Sequence, residues 1–355
     1  MNMENDSMKG VYDLLDKFTQ ISKKLAFKHP YLVVIAMHEY FRNIWPNDPI
    51  IEEKLADDKL ESIILCLKNC LNLLSSAEKI GSYFACKELL TEFKNLDEKG
   101  EKDHSQTQTV YGKLWKSLDD NYLIQDTKNI LINLFEQNGM NVDILKDKMV
   151  LDMGCGSGRF TIALAQLGVK NVIGVDLGEG GIKIGEKQSK DLDLKNIQFM
   201  KESVLSLPFE DETFDFVFSK GVLHHTGQLE NGLKEFHRVL KPGGNGFLYL
   251  YGSGGLFWNS RKKMREVMKD IPMQYTQKVL EIIGMPNKRY IFVDSWYVPI
   301  EEYVDRKWLE NYLTKKYSKI LRVDDTGDIN INSMSNLQYS KEIWGDGELR
   351  YFISK

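Results

Sequence analysis

The sequence predicts an α/β fold: a doubly wound, mostly parallel, seven-stranded sheet preceded by an N-terminal helical region. Three observations carry this. From Lys148 onward, short apolar runs alternate with helical patterns, the signature of parallel strands joined by helices. The first of those strands runs straight into Gly154, Gly156 and Gly158, and a helix follows. Before that point, apolar residues recur at three-to-four spacing, as on one face of a helix.

In the N-terminal part the helical spacing is set by Leu14, Leu15, Phe18, Ile21 and Leu25, then by Leu60, Ile63, Ile64, Leu67, Leu71 and Leu74. Pro30, Pro46 and Pro49 mark helix starts or stops. Residues 98–109 are polar and read as a linker. The chain is therefore divided into a helical region, 1–104, and a second domain, 105–355. A helix is expected from Tyr111 to Glu136, with Gly139 ending it.

Strands are expected at Met149–Met153, Asn171–Asp176, Ile197–Lys201, Phe214–Ser219 and Gly246–Tyr251. Helices are expected at Arg159–Leu167, Ile182–Leu192 and Leu229–Leu240, with a turn at Lys241–Gly244. Residues 252–300 break the rhythm. They hold Phe257, Trp258, Tyr275, Tyr290, Trp296 and Tyr297, with Tyr303 just beyond, and read as a lid-like insertion, with a small separate core as the alternative. Glu302–Lys315 is helical again. Ile320–Val323 and Leu349–Ile353 close the sheet as an antiparallel edge pair. His29 and His38 read as structural or surface residues, and His237, within the helix Leu229–Leu240, as structural.

Bulk properties exclude some function classes. The net charge of −4 argues against a protein whose main task is to grip nucleic acid. Arg261–Arg265 is a basic run, read as a solvated helix face. The four cysteines, Cys66, Cys70, Cys86 and Cys155, lack paired CxxC spacing, so no metal site is expected. Few unpatterned cysteines fit a reducing cytoplasm. Cys66 and Cys70 stand one helical turn apart and read as two small apolar residues on one face, with a thiol pair as the alternative. The N-terminus lacks a signal-peptide pattern. No stretch is read as a membrane span, which takes about 20 apolar residues.

The glycine turn is the sharpest chemical feature. Glycines let the backbone turn tightly and approach a ligand, and the helix start offers free N–H groups. A nicotinamide cofactor competes for this pattern, but its G-x-G-x-x-G spacing would need a glycine at Arg159. Asp176, at the end of the next strand, can accept hydrogen bonds from both hydroxyls of a ribose. That property is common to both nucleosides. Three further stretches follow in order: Met200–Phe209 with Glu202 and Ser203, Phe214–Thr226 with His224 and His225, and Arg238–Gly244.

With these motifs the sequence resembles the class I, Rossmann-like S-adenosylmethionine-dependent methyltransferases, especially the small-molecule branch of ubiquinone and menaquinone biosynthesis. The resemblance covers about residues 148–251. It implies that Asp152, Gly154, Cys155, Gly156 and Gly158 lie against the methionine part of the cofactor. It implies that Asp176 holds the ribose diol, that Leu177 packs on the adenine, and that Glu202 and Ser203 lie near the adenine edge. Glu202 replaces the family's usual Asp. Ser219 and Lys220 would border the methionine end, the ammonium turned to the cofactor carboxylate or to solvent.

The implied reaction is an in-line displacement at a methyl group on positive sulfur, in which the protein mainly positions the reactants. His224 and His225 read first as residues that pack or fix a loop; His225 is the catalytic candidate where the acceptor needs a base. The expected function is methyl transfer to a small molecule at O, N or C. The alternatives are a methyltransferase for a macromolecule docked by the N-terminal helices, and a non-catalytic binding protein. The helical region is expected to bind substrate, cap the domain or form a homodimer.

Overall fold

A computed structural model describes residues 2–45, 59–80, 91, 93–95, 120–284, 289–323 and 339–355. The expected linker at 98–109, the start of the helix at Tyr111, Pro46, Pro49, Cys86, Pro286 and the side chain of Tyr290 lie outside the described residues. The chain divides into two compact units. One is drawn from Met1–Ser105, Gly254–Pro299 and Ile331–Gly345; the other from Gln106–Ser253, Ile300–Asn330 and Asp346–Lys355.

The helical unit contains α1 (Asn2–Leu25), α2 (Pro30–Ile44) and α3 (Lys59–Ile80). The sheet unit opens with α4 (Asp120–Glu136), β1 (Met149–Met153), α5 (Arg159–Gln166), β2 (Asn171–Asp176), α6 (Glu179–Asp191) and β3 (Ile197–Lys201). It continues with β4 (Phe214–Lys220), α7 (Leu229–Val239) and β5 (Leu240–Tyr251). The chain then enters the helical unit for α8 (Gly255–Met268), α9 (Met273–Ile282) and α10 (Arg289–Tyr297). It returns to the sheet for α11 (Arg306–Thr314) and β6 (Lys319–Arg322). It adds α12 (Ser340–Trp344) to the helical unit, and ends on β7 (Glu348–Ser354).

The sheet has the order β3-β2-β1-β4-β5-β7-β6. Strands β1 to β5 are parallel, and β7 runs antiparallel to both β5 and β6. The chain winds outward through β2 and β3, then crosses back to β4 on the other side of β1. The crevice beyond the C-terminal ends of β1 and β4 is thus the switch point where such sheets bind ligands. On one face, Phe135 of α4 packs on Phe216 and Phe352, and Phe160 of α5 packs on Phe218. The other face buries Leu151, Val217 and Leu248 with Leu233 and Phe236 of α7 and Leu309 and Leu313 of α11.

Among the boundaries that differ from expectation, which include the start of α6 at Glu179 instead of Ile182, two have clear local reasons. Strand β5 begins at Leu240, because the Lys241–Gly244 turn is absorbed as a bulge: the register jumps from Phe214↔Leu240 to Phe216↔Asn245. Helix α11 begins at Arg306 because Asp305 caps it, its Oδ1 accepting from Trp308 N at 2.8 Å. The backbone N–H of Glu302, where that helix was expected to start, donates to His224 O at 2.7 Å.

In the helical unit the aromatics of the 252–300 insertion pack with the N-terminal helices. Phe41 lies 5.7 Å from Phe292, 5.9 Å from Phe257 and 6.0 Å from Trp296. These rings form a core within this unit. His29 and His38 are buried in it. Helix α3 corrects the expectation that no stretch reaches span length: Lys59–Lys79 is long and apolar enough to cross a membrane, by length and composition. Its buried apolar residues Leu60, Ile63, Leu67, Cys70, Leu74 and Ala77 nevertheless fall on one stripe, with the buried Lys59 at its start donating to Asn43 O, and Glu61, Lys68 and Glu78 lie off it. That is the pattern of an amphipathic helix packed on neighbours.

Candidate functional site

The glycine loop joins β1 to α5. Gly154, Gly156 and Gly158 all have left-handed φ, at 90°, 56° and 82°. The backbone N–H groups of Gly154 and Cys155 both donate to Val175 O at 2.9 Å, so the loop is pinned to the end of β2. A Cβ at Gly154 would lie 2.3 Å from the Val222 side chain. Only glycine therefore satisfies both the dihedral and the close approach of the turn after β4.

Asp176 sits at the tip of β2 and ties the site together. Its Oδ2 accepts from Gly156 N at 2.9 Å and its Oδ1 from Gly178 N at 2.7 Å. Burial pushes its carboxyl above the usual range, against the pull of these N–H donors. Asp152 lies beneath the loop and is 3% exposed; Thr161 Oγ1 donates to its Oδ2 at 2.6 Å. Burial pushes Asp152 up to about 7, and the nearby Asp176 adds to the shift. Cys155 is buried, and burial holds its thiol well above the ordinary value.

Leu177, next to Asp176, is 49% exposed, an apolar surface beside the polar grip. Glu202 donates its backbone N–H to Asp176 O at 3.1 Å, and Ser203 Oγ accepts from Leu205 N at 3.2 Å. Both residues thus stand at the same end of the sheet as Asp176. Ser219 is fully buried, and its Oγ has no hydrogen-bond partner among the described residues. The Lys220 ammonium lies 5.6 Å from the centroids of both Phe160 and Tyr249, a cation held over aromatic faces.

His224 and His225 form a single 3-10 turn, Leu223–His225, beyond β4. Both are buried. His225 Nδ1 donates to Ile300 O at 2.8 Å, a contact in which a carbonyl can only accept. In the neutral ring this leaves Nε2 as the nitrogen that can take a proton. The His224 ring lies 3.9 Å from that of Tyr251. The turn is fixed from two sides, and Val222 before it backs Gly154.

Sequence reasoning missed a buried polar cluster at the same edge. Tyr249 donates to Glu348 Oε1 at 2.5 Å, Glu348 pairs with Arg350, and the Arg350 guanidinium stands 4.5 Å over the Tyr249 ring. Thr161, the partner of Asp152, was also missed. Its signal was a hydroxyl in the first turn of the helix after the loop.

Residues 151–248 match the family model described as "Methyltransferase domain". The chain is 34% identical over 152 residues to a demethylmenaquinone methyltransferase of Staphylococcus carnosus (strain TM300), covering 40% of this chain and 60% of that one. It is 38% identical over 105 residues to a demethylmenaquinone methyltransferase of Geobacillus stearothermophilus, covering 29% and 45%. The chain thus spans about half the length of the curated relatives it matches. Among solved structures it is similar to the PH0226 protein of Pyrococcus horikoshii OT3 (23% identity, TM-score 0.41, 67% of this chain and 94% of that one). It is also similar to PKMT2 of Rickettsia typhi in complex with AdoHcy (18% identity, TM-score 0.46, 63% and 52%). With the glycine loop, Asp176 and the strand order in place at the ligand-binding end of the sheet, residues 151–248 match a methyltransferase domain.

Proposed function

We propose that this chain is an enzyme that transfers the methyl group of S-adenosylmethionine to a small-molecule acceptor. Asp176 carries the reading: a half-buried carboxylate at the tip of β2, aimed by two backbone N–H groups, beside an exposed Leu177. That pairing suits a nucleoside, with a hydroxyl pair on the carboxylate and a flat base on the leucine. The cofactor fits the loop as well, since the left-handed Gly154, Gly156 and Gly158 turn the chain sharply at the switch-point end of β1. Bound there, S-adenosylmethionine supplies a methyl group already activated by its positive sulfur.

The chain's own residues then bind and orient. Asp176 accepts from the ribose hydroxyls, and it does so best when ionised. Asp152 and Thr161 brace the loop from below. Where the acceptor is a hydroxyl, we assign His225 Nε2 to take its proton, with Ile300 O holding the ring. The names of the matching relatives support a small organic acceptor of the demethylmenaquinone kind. Cys66, Cys70 and Cys155 are free thiols, which supports a reducing compartment such as the cytoplasm.

Calorimetric titration of the full chain with S-adenosylmethionine and S-adenosylhomocysteine tests the proposal. Micromolar binding is expected. Asp176→Ala should weaken it by roughly a hundredfold, as loss of two charge-assisted hydrogen bonds implies. A folded wild-type protein that binds neither ligand overturns the reading.

A further inference from the structure

Cys66 and Cys70 lie in the helical unit, outside the site described above. Helix geometry sets their Cα atoms about 6 Å apart, within the span of a disulfide. Cys66 Sγ donates to Glu39 O at 3.7 Å and Cys70 Sγ to Ala36 O at 3.6 Å, so both thiols face α2. They also lie within reach of each other, so that the Cys70 thiol can turn from Ala36 O to donate to Cys66 once Cys66 ionises. Their surroundings differ. Cys70 is 6% exposed, whereas Cys66 is only partly covered. Both line an open groove of about 390 Å³ between α2 and α3, with Ile35, Glu39, Leu65 and Asn69.

We propose that Cys66 and Cys70 form a dithiol that hydroperoxides oxidise to an intrahelical disulfide, Cys66 attacking and Cys70 resolving. In the first step Cys66 sulfur attacks a peroxide oxygen. The O–O bond breaks, water from hydrogen peroxide (or the alcohol from an organic hydroperoxide) leaves with the thiol proton, and Cys66 becomes a sulfenic acid. In the second, Cys70 sulfur attacks Cys66 sulfur, the S–O bond breaks and water leaves. The thiol pair loses two electrons, and the peroxide gains them.

The assignment of roles follows from the surroundings. The groove admits peroxide to Cys66. The hydrogen bond from Cys70 favours the Cys66 thiolate and holds its pKa below the ordinary thiol value; Lys59 assists and Glu39 opposes. The same contact and burial push Cys70 up. One turn apart on a helix, Cβ atoms stand about 5–6 Å apart, and a disulfide draws them to about 4 Å. The bridge therefore strains that turn of α3 and should be readily reduced. Cys155 is an internal control, buried and held as a thiol.

Reduced full-length protein should be treated with one equivalent of hydrogen peroxide, blocked with N-ethylmaleimide and digested with trypsin without reduction. Cleavage after Lys68 separates residues 60–68 from 69–79. The expected product is these two peptides joined, formed at least tenfold faster than Cys155 is lost and reversed by dithiothreitol. In Cys70→Ser, Cys66 should stop as a sulfenic acid that dimedone traps. In Cys66→Ser, Cys70 should stay reduced. The proposal is overturned if Cys66 links to Cys86 or to a second chain. It is equally overturned if Cys155 reacts first, or if both α3 thiols survive in protein whose circular dichroism shows it folded.

Discussion

The candidate site and the aromatic core of the helical unit differ in how their named polar side chains are held, with Ser219 Oγ in the site and the Tyr40–Ser260 pair in the helical unit as exceptions. At the strand ends of the sheet unit, backbone groups or a neighbouring hydroxyl hold the polar side chains: Asp176 by Gly156 and Gly178, Asp152 by Thr161, His225 by Ile300. In the helical unit, Ser295 Oγ and Trp296 Nε1 are buried with no hydrogen-bond partner among the described residues. Backbone-held polar groups have fixed geometry and can be aimed at a ligand. Polar groups stranded among rings are there because the rest of the side chain packs well. The contrast places ligand chemistry in the sheet unit and packing in the helical one.

The strongest test of that contrast is Trp296→Ala. Trp296 is 1% exposed and lies 5.2 Å from Phe292. Its loss should destabilise the helical unit by roughly 3–5 kcal/mol. Differential scanning calorimetry should then show an earlier transition, with S-adenosylhomocysteine affinity at low temperature within twofold of wild type. A parallel collapse of affinity would break the division.

Gly154→Ala should act the other way. A left-handed non-glycine residue costs about 1–2 kcal/mol, and the clash with Val222 adds roughly 1–3 kcal/mol. Urea unfolding should show the loss. Adding Val222→Ala should recover the clash and leave the dihedral cost, and equal stability of single and double variants would mean that Val222 is not the obstacle.

Asp152 predicts a pH dependence of the sheet unit. Its folded pKa, about 7, lies above the unfolded value. A raised acid contributes stability that is complete below the unfolded pKa and is lost as pH rises through the folded one. Wild-type Tm should therefore fall between about pH 4 and pH 7 relative to Asp152→Asn, which cannot ionise. Parallel Tm curves for the two proteins would show that Asp152 does not titrate in this window.

The parts that were legible share a physical basis. The bounds of β1, β2 and β3 were read correctly because each is a short apolar run ending at glycine or charge. The place of Asp176 at the tip of β2 was legible because a single strand–helix–strand step, through α5 and β2, follows the glycine loop. The Tyr249–Glu348–Arg350 cluster was not, since it joins residues about a hundred positions apart through a β5–β7 pairing. Glu348 and Arg350 look like surface charges in any local window. The insertion held its aromatics in plain view, but nothing in their spacing says which unit they pack against. Phe257 and Trp296 find Phe41, more than two hundred residues upstream. For α3, length and composition alone resemble a membrane span, and only the burial stripe separates the two readings.

The smallest effect is expected at Leu177, and it discriminates most finely. At 49% exposure the side chain contributes little to the fold, so Leu177→Ala should change stability by no more than about 0.5 kcal/mol. If the adenine covers it, binding buries apolar area that the variant lacks. A leucine half covered by a ligand accounts for about 1 kcal/mol, or roughly fivefold in Kd. The loss should be equal for S-adenosylmethionine and S-adenosylhomocysteine, since both carry the same base. Unchanged affinity in Leu177→Ala, with Asp176→Ala still defective, would keep the ribose grip and move the base to another wall. A large loss of stability would instead mean that Leu177 belongs to the packing of β2, and that the contrast between the units blurs at the strand tips.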